Sequence, residues 1–402
     1  MTTYVLHNKL PNQAAISKAL QQAGVERRLC IGLDIEQATP AGAIVIGGGE
    51  SLYLGKHPRG TWLALARWLI EQGCGVHVVQ EACGFGWGFD RELTSLGARS
   101  IVIAPQEIGG KRKTDKRDAR TLALLGWDYF VRGNQRCLRP VRAPSKEEQQ
   151  RRGLGRSRSQ WLGVRTQMEA RGRSLMWDHD WLQVPKGWWR ERTWAALREQ
   201  LSQAGEHWLV AMLSPMQQHC ASAQQRADEL QAQMQQQNEP SRHQEGNEGG
   251  WQPARAAAPS AASRAAQPLL PKGLGMMSYE MLQAEVMDWT RFKNRGQAGS
   301  FIGCCPSERS SGGRQKLGEI DRIGSPRLRW LLVEAAWRLL RYNPGWRGFK
   351  AFGEVLDKQS KASGAKKRKA IVACARLLMI DLWRLHVGTA TLGALGLQPA
   401  AD

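Results

Sequence analysis

Hydrophobic positions in the first third of the chain fall into short continuous runs, separated by stretches in which apolar residues recur every three or four positions. The continuous runs predict buried strands, at residues 29–35, 43–46, 51–54, 75–80 and 100–104. The periodic stretches predict helices, at residues 61–72, 88–96 and 115–128. Because strands alternate with helices, we expect an α/β fold with a largely parallel sheet and helices on its faces.

From about residue 144 onward the pattern becomes helical. Ser145, followed three residues later by Glu148, is typical of a helix N-terminus, and a long basic helix is predicted at 147–175. Helical spacing continues through 187–237, where the sequence ends in a glutamine-rich stretch. Two interpretations stay open for this region: a solvated, coiled-coil-like spacer, or a surface that contacts nucleic acid directly.

Residues 238–267 are rich in Gly, Pro, Ser, Ala and Asn and carry few apolar side chains, which predicts a disordered linker. The chain that follows is predicted to be mostly helical, with helices at 326–342 and 368–387. A Gly/Ser-rich loop is expected at 303–324. The linker therefore separates two functional parts.

Net charge is the property of the composition that says most about the protein's partners. The 402 residues include 57 Lys and Arg but only 36 Asp and Glu, for a formal charge of +21. Such an excess attracts a polyanion, either nucleic acid or an anionic membrane surface. The most apolar stretches, 62–70 and 371–383, are shorter than the roughly 20 residues that span a bilayer and contain charged side chains. The sequence thus argues against an integral membrane protein.

The N-terminus and the cysteines both indicate a reducing compartment. Residues 1–28 have neither an apolar core nor a small-residue cleavage site of a secretory signal. Eight cysteines are present, and none forms a Cys-x-x-Cys pair, which argues against zinc ribbons and thioredoxin-like motifs. We therefore expect reduced, buried thiols and a cytoplasmic protein.

Four acids stand out in so basic a chain. Asp34 and Glu81 end two predicted strands, and Asp115 and Asp118 lie on one face of the first turn of a predicted helix. If the strands are parallel, their ends share one edge of the sheet and the four carboxylates converge. Such a group suits Mg²⁺, or Mn²⁺, acting on a phosphate. The alternative is that each acid is an ordinary turn or helix-cap residue.

Two further segments have the chemistry of phosphate contact. Ser310 and Ser311 precede two glycines, and a serine hydroxyl there could attack a phosphodiester; a plain flexible turn is the alternative. The turn at 270–275 is similar to a helix-hairpin-helix turn that presents backbone amides to phosphate, or is an ordinary helix connection. Basic residues near the acids, near the serines and in a C-terminal cluster are candidate nucleic-acid contacts: Lys111, Arg112, Lys113, Lys116, Arg117, Arg309, Arg314, Lys316, Lys366, Lys367, Arg368 and Lys369.

Several of these segments together resemble one known family. They are IGLDI (31–35), QEACGFG (80–86), KTDKRDARTLA (113–123), LPKGLG (270–275), GCCPSERSSGG (303–313) and RIGSPRLRWLLVEAA (322–336). In this order they resemble the DEDD transposases of bacterial insertion sequences, family one hundred and ten, whose members are RNA-guided serine recombinases. KTDxxDA and PSExSSGG are the specific motifs among them.

The resemblance implies a domain plan. An N-terminal extension (1–28) would precede an RNase H-like, RuvC-type metal-binding domain (29–143). A helical coiled-coil region (144–237) would make subunit contacts, and the linker (238–267) would lead to a mainly α-helical C-terminal transposase domain (268–390) and a tail (391–402).

The resemblance also implies the site and its partners. Asp34, Glu81, Asp115 and Asp118 match the family's four acids, and Ser311 matches its nucleophile, with Ser310 as the neighbouring alternative. The partners would be DNA, a structured bridge RNA that selects donor and target, and further copies of the chain in a dimer or tetramer. The resemblance also implies a bacterial protein that is associated with the nucleoid.

Three hypotheses follow for the function. The first is a site-specific DNA recombinase in which Ser311 and a Mg²⁺ site exchange strands. The second is a RuvC-like nuclease or junction resolvase that needs the acids but forms no covalent intermediate. The third is a nucleic-acid-binding protein without catalytic activity.

Overall fold

The computed structural model of the protein describes residues 10–24, 27–48, 50–104, 114–238, 270–308 and 317–400. The chain divides into two compact units, Met1–Ser145 and Lys146–Asp402. None of the described helices combines the length and the apolar character that a bilayer span needs.

The first unit is built on one six-stranded sheet. Its strands are β1 (Arg28–Asp34), β2 (Ala41–Ile46), β3 (Leu52–Lys56), β4 (Gly75–Glu81), β5 (Arg99–Ile103) and β6 (Pro140–Val141), in the order β3-β2-β1-β4-β5-β6. Its helices are α1 (Gln13–Ala23), α2 (Arg59–Glu71), α3 (Gly88–Ser95) and α4 (Asp115–Phe130). The predicted strands and helices of this region are all present. The N-terminal extension also holds a helix that the sequence analysis missed, α1, whose Ile16 is fully buried.

The sheet is mixed, so the expectation of a largely parallel sheet was wrong. Among the described strands, β1 pairs in parallel with β4 and β4 with β5, whereas β1–β2, β2–β3 and β5–β6 are antiparallel. The chain returns from β1 to β2 and from β2 to β3 through short turns. A parallel pair needs a crossover of a dozen or more residues, and these connections are too short for one.

Both faces of the sheet are covered, which is why its central strands read as continuous apolar runs. Leu29, Ile31 and Leu33 of β1 belong to a core shared with α1, α2 and α3. Cys30, on the opposite face, belongs to a second core shared with α4.

The second unit begins with three helices, α5 (Lys146–Asp178), α6 (Glu191–Gln203) and α7 (His207–Asn238). α5 and α7 pack along each other, and tryptophans fill the core at one end. Trp188 lies so close to α5 that a Cβ on Gly172 would come within 2.2 Å of its ring. The predicted linker lies outside the described residues, apart from Asn238 at the end of α7.

The rest of this unit is a helical layer around a single apolar core. It comprises α8 (Met276–Val286), α9 (Arg295–Ser300), α10 (Pro326–Tyr342), α11 (Gly353–Leu356) and α12 (Gly364–His386), with a hairpin of β7 (Pro306–Glu308) and β8 (Leu317–Ile320). The hairpin corrects the prediction of one continuous loop at 303–324, because both ends of that segment pair as antiparallel strands.

Candidate functional site

The first two acids lie side by side at one edge of the first unit's sheet. β1 and β4 are parallel neighbours, and their register pairs Leu33 with Gln80. The next residues along the two strands are Asp34 and Glu81, which end β1 and β4. Parallel pairing therefore places these two carboxylates level with each other, as the sequence predicted for this strand pair.

A glycine in β1 brings α4 onto the sheet. A Cβ on Gly32 would come within 2.2 Å of the backbone nitrogen of Ala123 and 2.4 Å of the carbonyl oxygen of Ala119. The helix backbone thus rests directly on the strand. Gly126, one turn further along α4, meets Cys30 and Val79 at similarly short range. Glycines on both β1 and α4 thus allow the helix to pack closely against the sheet, which positions the start of α4 relative to β1.

The start of α4 carries the second pair of acids. Thr114 caps the helix by accepting a hydrogen bond from the Arg117 backbone N–H at 3.4 Å. Asp115 lies one turn before the buried Ala119, and Asp118 directly precedes it. Both acids are half-buried, because α4 presents this side to the sheet.

Asp34 lies close enough to the other three acids for their charges to act on it. Burial, followed by the charges of Asp115, Asp118, Glu81 and Glu36, raises the pKa of Asp34 to about 6. Neighbouring like charges disfavour the ionised carboxylate and give this direction of shift. The fifth contributor, Glu36, was not predicted from the sequence.

Lys56 is the counter-ion of this site and was also missed. Its Nζ lies 2.5 Å from Asp115 Oδ2 and 2.8 Å from Glu36 Oε1, and these contacts raise the pKa of the lysine. Lys56 ends β3, and it reaches α4 because β3 and β2 fold back beside β1. Only a prediction of that antiparallel pairing could have found it.

A buried polar cluster lies directly behind Glu81. Ser100 Oγ donates to Asp90 Oδ1 at 2.7 Å, and Gln80 Nε2 lies 3.4 Å from the same oxygen and 3.3 Å from Ser100 Oγ. These contacts join β4, α3 and β5. They fix the end of β4 from which the Glu81 side chain projects.

Carboxylate oxygens suit a hard cation such as Mg²⁺. The described side chains are not, however, arranged as a complete set of metal ligands. Asp118 Oδ1 is buried and has no hydrogen-bond partner among the described residues, so this oxygen is free to accept a donor or a cation. Over the same residues, no three His, Cys, Asp or Glu side chains are placed to hold a metal ion. Instead, Asp115 contacts Lys56.

The basic residues predicted around these acids are seen only in part. Lys116 and Arg117 are exposed on the first turn of α4, and Lys116 Nζ lies 5.8 Å from the centre of the Tyr53 ring. Lys111, Arg112 and Lys113 lie outside the described residues.

The predicted nucleophile lies in the connection between β7 and β8. The structure pairs Pro306 with Ile320 and Glu308 with Leu317, so both flanks of the connection are held close together. Residues outside the described part of the chain include Ser310, Ser311, Arg309, Arg314 and Lys316. Just beyond the hairpin, Arg329 of α10 donates to the carbonyl oxygens of Ile302 and Gly303.

The turn at 270–275 differs from the predicted phosphate-binding turn. The Lys272 N–H donates to the Gln398 carbonyl at 2.8 Å, and the Leu274 N–H donates to Pro271. These two amides are satisfied within the protein and are not available to a phosphate. The C-terminal segment, which pairs with this turn through Pro399 and Pro271, could not have been assigned from the local sequence.

The C-terminal basic cluster opens α12. Lys366 to Lys369 occupy its first two turns, where three of the four residues are exposed. Ser363 caps this helix end by accepting from the Lys366 N–H, and the first turn contains no acid.

Comparisons with known proteins agree with this arrangement of motifs. The family model described as Transposase IS116/IS110/IS902 family matches residues 271–351. A Sinorhizobium fredii protein named as transposase y4rJ is 29% identical over 344 residues, which cover 80% of each chain. A Pseudomonas aeruginosa protein named as a family 20 transposase is 26% identical over 66% of this chain and 71% of its own length. A second Sinorhizobium fredii protein, named as transposase y4qE, is 27% identical over 79% of this chain and 73% of its own length.

The comparisons show what this chain is similar to. Residues 271–351 match the model of the IS116/IS110/IS902 transposase family, and between 66% and 80% of the chain is similar to proteins named as transposases.

Proposed function

We propose that this chain is a transposase that exchanges DNA strands through a serine nucleophile, Ser311, and an acidic metal site formed by Asp34, Glu81, Asp115 and Asp118. The observation that carries the proposal is the position of these acids near the β1–β4 edge, where burial and then their charges raise the pKa of Asp34. Like charges brought together in a chain of +21 are costly unless a cation offsets them.

The proposal includes an RNase H-like, RuvC-type fold for the first unit. Its support is the sheet order, in which an antiparallel β1-β2-β3 meander is followed by parallel β4 and β5. The acids at the ends of β1 and β4 and at the start of α4 suit such a domain.

The four acids would hold Mg²⁺ or Mn²⁺ through oxygen ligands, the donor type that these ions prefer. The unpartnered Asp118 Oδ1 supports this assignment. When bound, the ion supplies Lewis-acid stabilisation of charge on a phosphate. The chain's own residues contribute the placement: Gly32 seats α4 against β1, and the cluster behind Glu81 fixes the end of β4.

Ser311 would carry the covalent step. Its Oγ forms a bond to phosphorus as the bond from phosphorus to one DNA oxygen breaks, and the serine proton ends on that departing oxygen. The resulting phosphoserine keeps the energy of the phosphodiester, so a second DNA hydroxyl can displace the serine without ATP. Arg309, Arg314 and Lys316 would stabilise the charge that develops on the phosphate.

A structured bridge RNA and further copies of the chain complete the proposal. Delegating sequence choice to RNA pairing requires a protein that holds backbones without reading bases, and a charge of +21 supports that role. The long α5–α7 pair exposes Trp161 and Trp177, which supports subunit contacts through the coiled-coil region.

The test is a search for the covalent intermediate. Purified protein is incubated with Mg²⁺, the element's flanking non-coding RNA and labelled junction DNA, and the products are run on a denaturing gel with and without protease. We expect a slow, protease-sensitive DNA band in wild type that Ser311→Ala abolishes. Ser307→Ala, a serine in the described strand β7, is the matched control and should keep the band.

Two results would contradict the serine mechanism, and a third would contradict its assignment to Ser311. Cut DNA without an adduct in wild type would favour the metal-dependent nuclease. An adduct that persists in Ser311→Ala and disappears in Ser310→Ala would move the nucleophile by one residue. Binding without any cutting, in the presence of Mg²⁺ and the RNA, would favour the non-catalytic binding protein.

A further inference from the structure

A second charged site lies in the second unit, on the side of α12 that faces α9. It is an open cavity of about 840 Å³, which we call the α12 cavity. Its lining includes five cations: Lys293, Arg295, Arg347, Arg376 and Arg384. Asp381 is the one acid among the lining residues. The volume falls within the roughly 300–1,000 Å³ of ligand-binding clefts.

Asp381, the acid in the cavity wall, holds arginine side chains in place but offsets only one of the positive charges. Asp381 is 1% exposed and accepts hydrogen bonds from Trp346 Nε1 at 2.9 Å and from Arg347 through two nitrogens. Arg384 Nη1 lies 3.9 Å from the same carboxylate. One buried carboxylate thus fixes Arg347 and shares Arg384.

Three of the five cations have no carboxylate partner in the described part of the chain: Lys293, Arg295 and Arg376. Two N–H groups of the lining residues, Arg376 Nε and Trp383 Nε1, are also buried without an acceptor among those residues. A buried donor without an acceptor destabilises the fold, because it has lost its hydrogen bonds to water. An anion that enters the cavity would supply the missing acceptors once these side chains turn towards it.

The basic residues continue along α12 beyond the cavity. Lys369 and Arg376 are seven residues apart and therefore lie on the same face of the helix, about 10 Å apart along its axis at ~1.5 Å per residue. Lys366 and Lys367 lie at the N-terminal end of α12, where positive side chains oppose the helix dipole and weaken the helix. Because these lysines do not stabilise the helix, their position favours a role in binding an anion.

We propose that the α12 cavity seats a phosphate-bearing nucleotide of a nucleic-acid strand, whose backbone continues along α12 past Lys369. The proposal rests on the proposed function in one respect, that the chain acts on nucleic acid. It is independent of the serine and of the acidic site. Guanidinium groups bind phosphate oxygens in pairs, and the apolar wall of Leu377 and Ile380 suits the flat face of a base or sugar.

The experiment measures binding separately from catalysis. The Ser311→Ala protein is titrated, in EDTA, against a fluorescently labelled 20-nucleotide DNA and an RNA of the same sequence, with anisotropy as the readout. In this background, two double variants are compared. The cavity variant combines Arg376→Gln and Arg384→Gln, and the control variant combines Arg192→Gln and Arg198→Gln. The control arginines are exposed on α6, outside the cavity, and carry the same charge.

We expect the cavity variant to bind about tenfold more weakly than the parent, and the control to change less than about twofold. The slope of log K against log salt should fall by about 1.4, or about 0.7 for each lost phosphate contact on a single strand. Comparing the DNA with the RNA identifies which strand the cavity takes. Lys293→Gln with Arg295→Gln, both exposed outside the core, gives a second test that does not depend on α12 folding normally.

Equal affinity of both cavity variants and the control would overturn the proposal while leaving the proposed function intact. Competition by inorganic phosphate or a mononucleotide as strong as that by an unlabelled oligonucleotide would also overturn it, by assigning the cavity to a small anion. A parent protein that binds neither strand would overturn this proposal, whereas the proposed function is decided separately by the covalent-adduct assay with Mg²⁺, the RNA and junction DNA.

Discussion

At the scale of single residues, the acidic site depends on which charges surround each carboxylate. Asp34 has three acids of the predicted set and Glu36 near it, whereas Asp115 has Lys56 at 2.5 Å. Two carboxylates of one cluster therefore differ in charge environment.

His77 makes stability depend on pH. It is 6% exposed, stacks on Phe130 with ring centres 4.5 Å apart, and has a buried Nδ1 without a partner among the described residues. Burial, assisted by Arg99 and Arg28, lowers its pKa from the ordinary 6.5 to about 4. The unfolded chain binds this proton first, so folding stability is lost as pH falls from 6.5 towards 4.

The expected loss due to His77 is about 2 kcal/mol between pH 7 and pH 5. Urea unfolding of wild type and His77→Phe at both pH values measures it. The difference between the two proteins isolates His77, because Asp34 titrates in both. Equal losses in wild type and variant would show that His77 does not carry the effect.

At the scale of elements, the contact of α4 with β1 sets the geometry of the acidic site. Gly32→Ala would force a Cβ to within 2.2 Å of the Ala123 backbone nitrogen. The backbone of α4 would have to move away from β1 to relieve this contact. We expect a loss of about 3 kcal/mol in the free energy of unfolding, as for an overpacked core, together with a loss of transposition.

Urea unfolding followed by circular dichroism checks the Gly32→Ala prediction. Gly88→Ala, at the start of α3, is the matched control, because a Cβ there meets nothing within 4 Å. Its expected change is below about 0.5 kcal/mol. If Gly32→Ala were as stable as that control, α4 would not rest on β1 as described.

The elements also show what the sequence could and could not predict. Continuous apolar runs at 29–35 and 75–80 located β1 and β4, and their acids followed from the strand ends. The direction of β2 and β3 escaped prediction, because it depends on how short turns pair strands rather than on any one strand's pattern. Lys56 and Glu36 were missed for the same reason, since only that pairing brings Lys56 beside α4.

The C-terminal hairpin was missed for a local reason. β7 is three residues long and fully exposed, so it has no apolar alternation to reveal it. The α12 cavity was missed because its cations come from separate segments around 293–295, 347 and 376–384. Lys366 to Lys369 were visible as a run, whereas Arg376 and Arg384 are spaced by helical turns and stand out only on the folded helix.

At the scale of the whole molecule, the two proposed chemical parts lie in different compact units. The acids belong to Met1–Ser145, and the hairpin that flanks Ser311 belongs to Lys146–Asp402. A chain so divided can complete its site within itself or with a second copy. We predict the second arrangement, a site shared between two copies of the chain, and this distinction can be measured.

Mixing two inactive variants separates the arrangements. Asp34→Asn lacks the acidic site and keeps the serine, whereas Ser311→Ala keeps the acids and lacks the nucleophile. In a shared site, a mixed dimer joins the intact acids of one chain to the intact serine of the other. Equal co-expression should therefore restore about a quarter of wild-type strand exchange, since half of the dimers are mixed and each has one complete site.

A site completed within one chain predicts no recovery, because every chain in the mixture then lacks one of the two parts. Each variant expressed alone is the control and should be inactive in both arrangements. Activity is measured as junction DNA exchanged per unit time at equal total protein. Recovery would also show that loss in either single variant comes from the chemistry and not from misfolding, because a misfolded chain could not complete its partner's site.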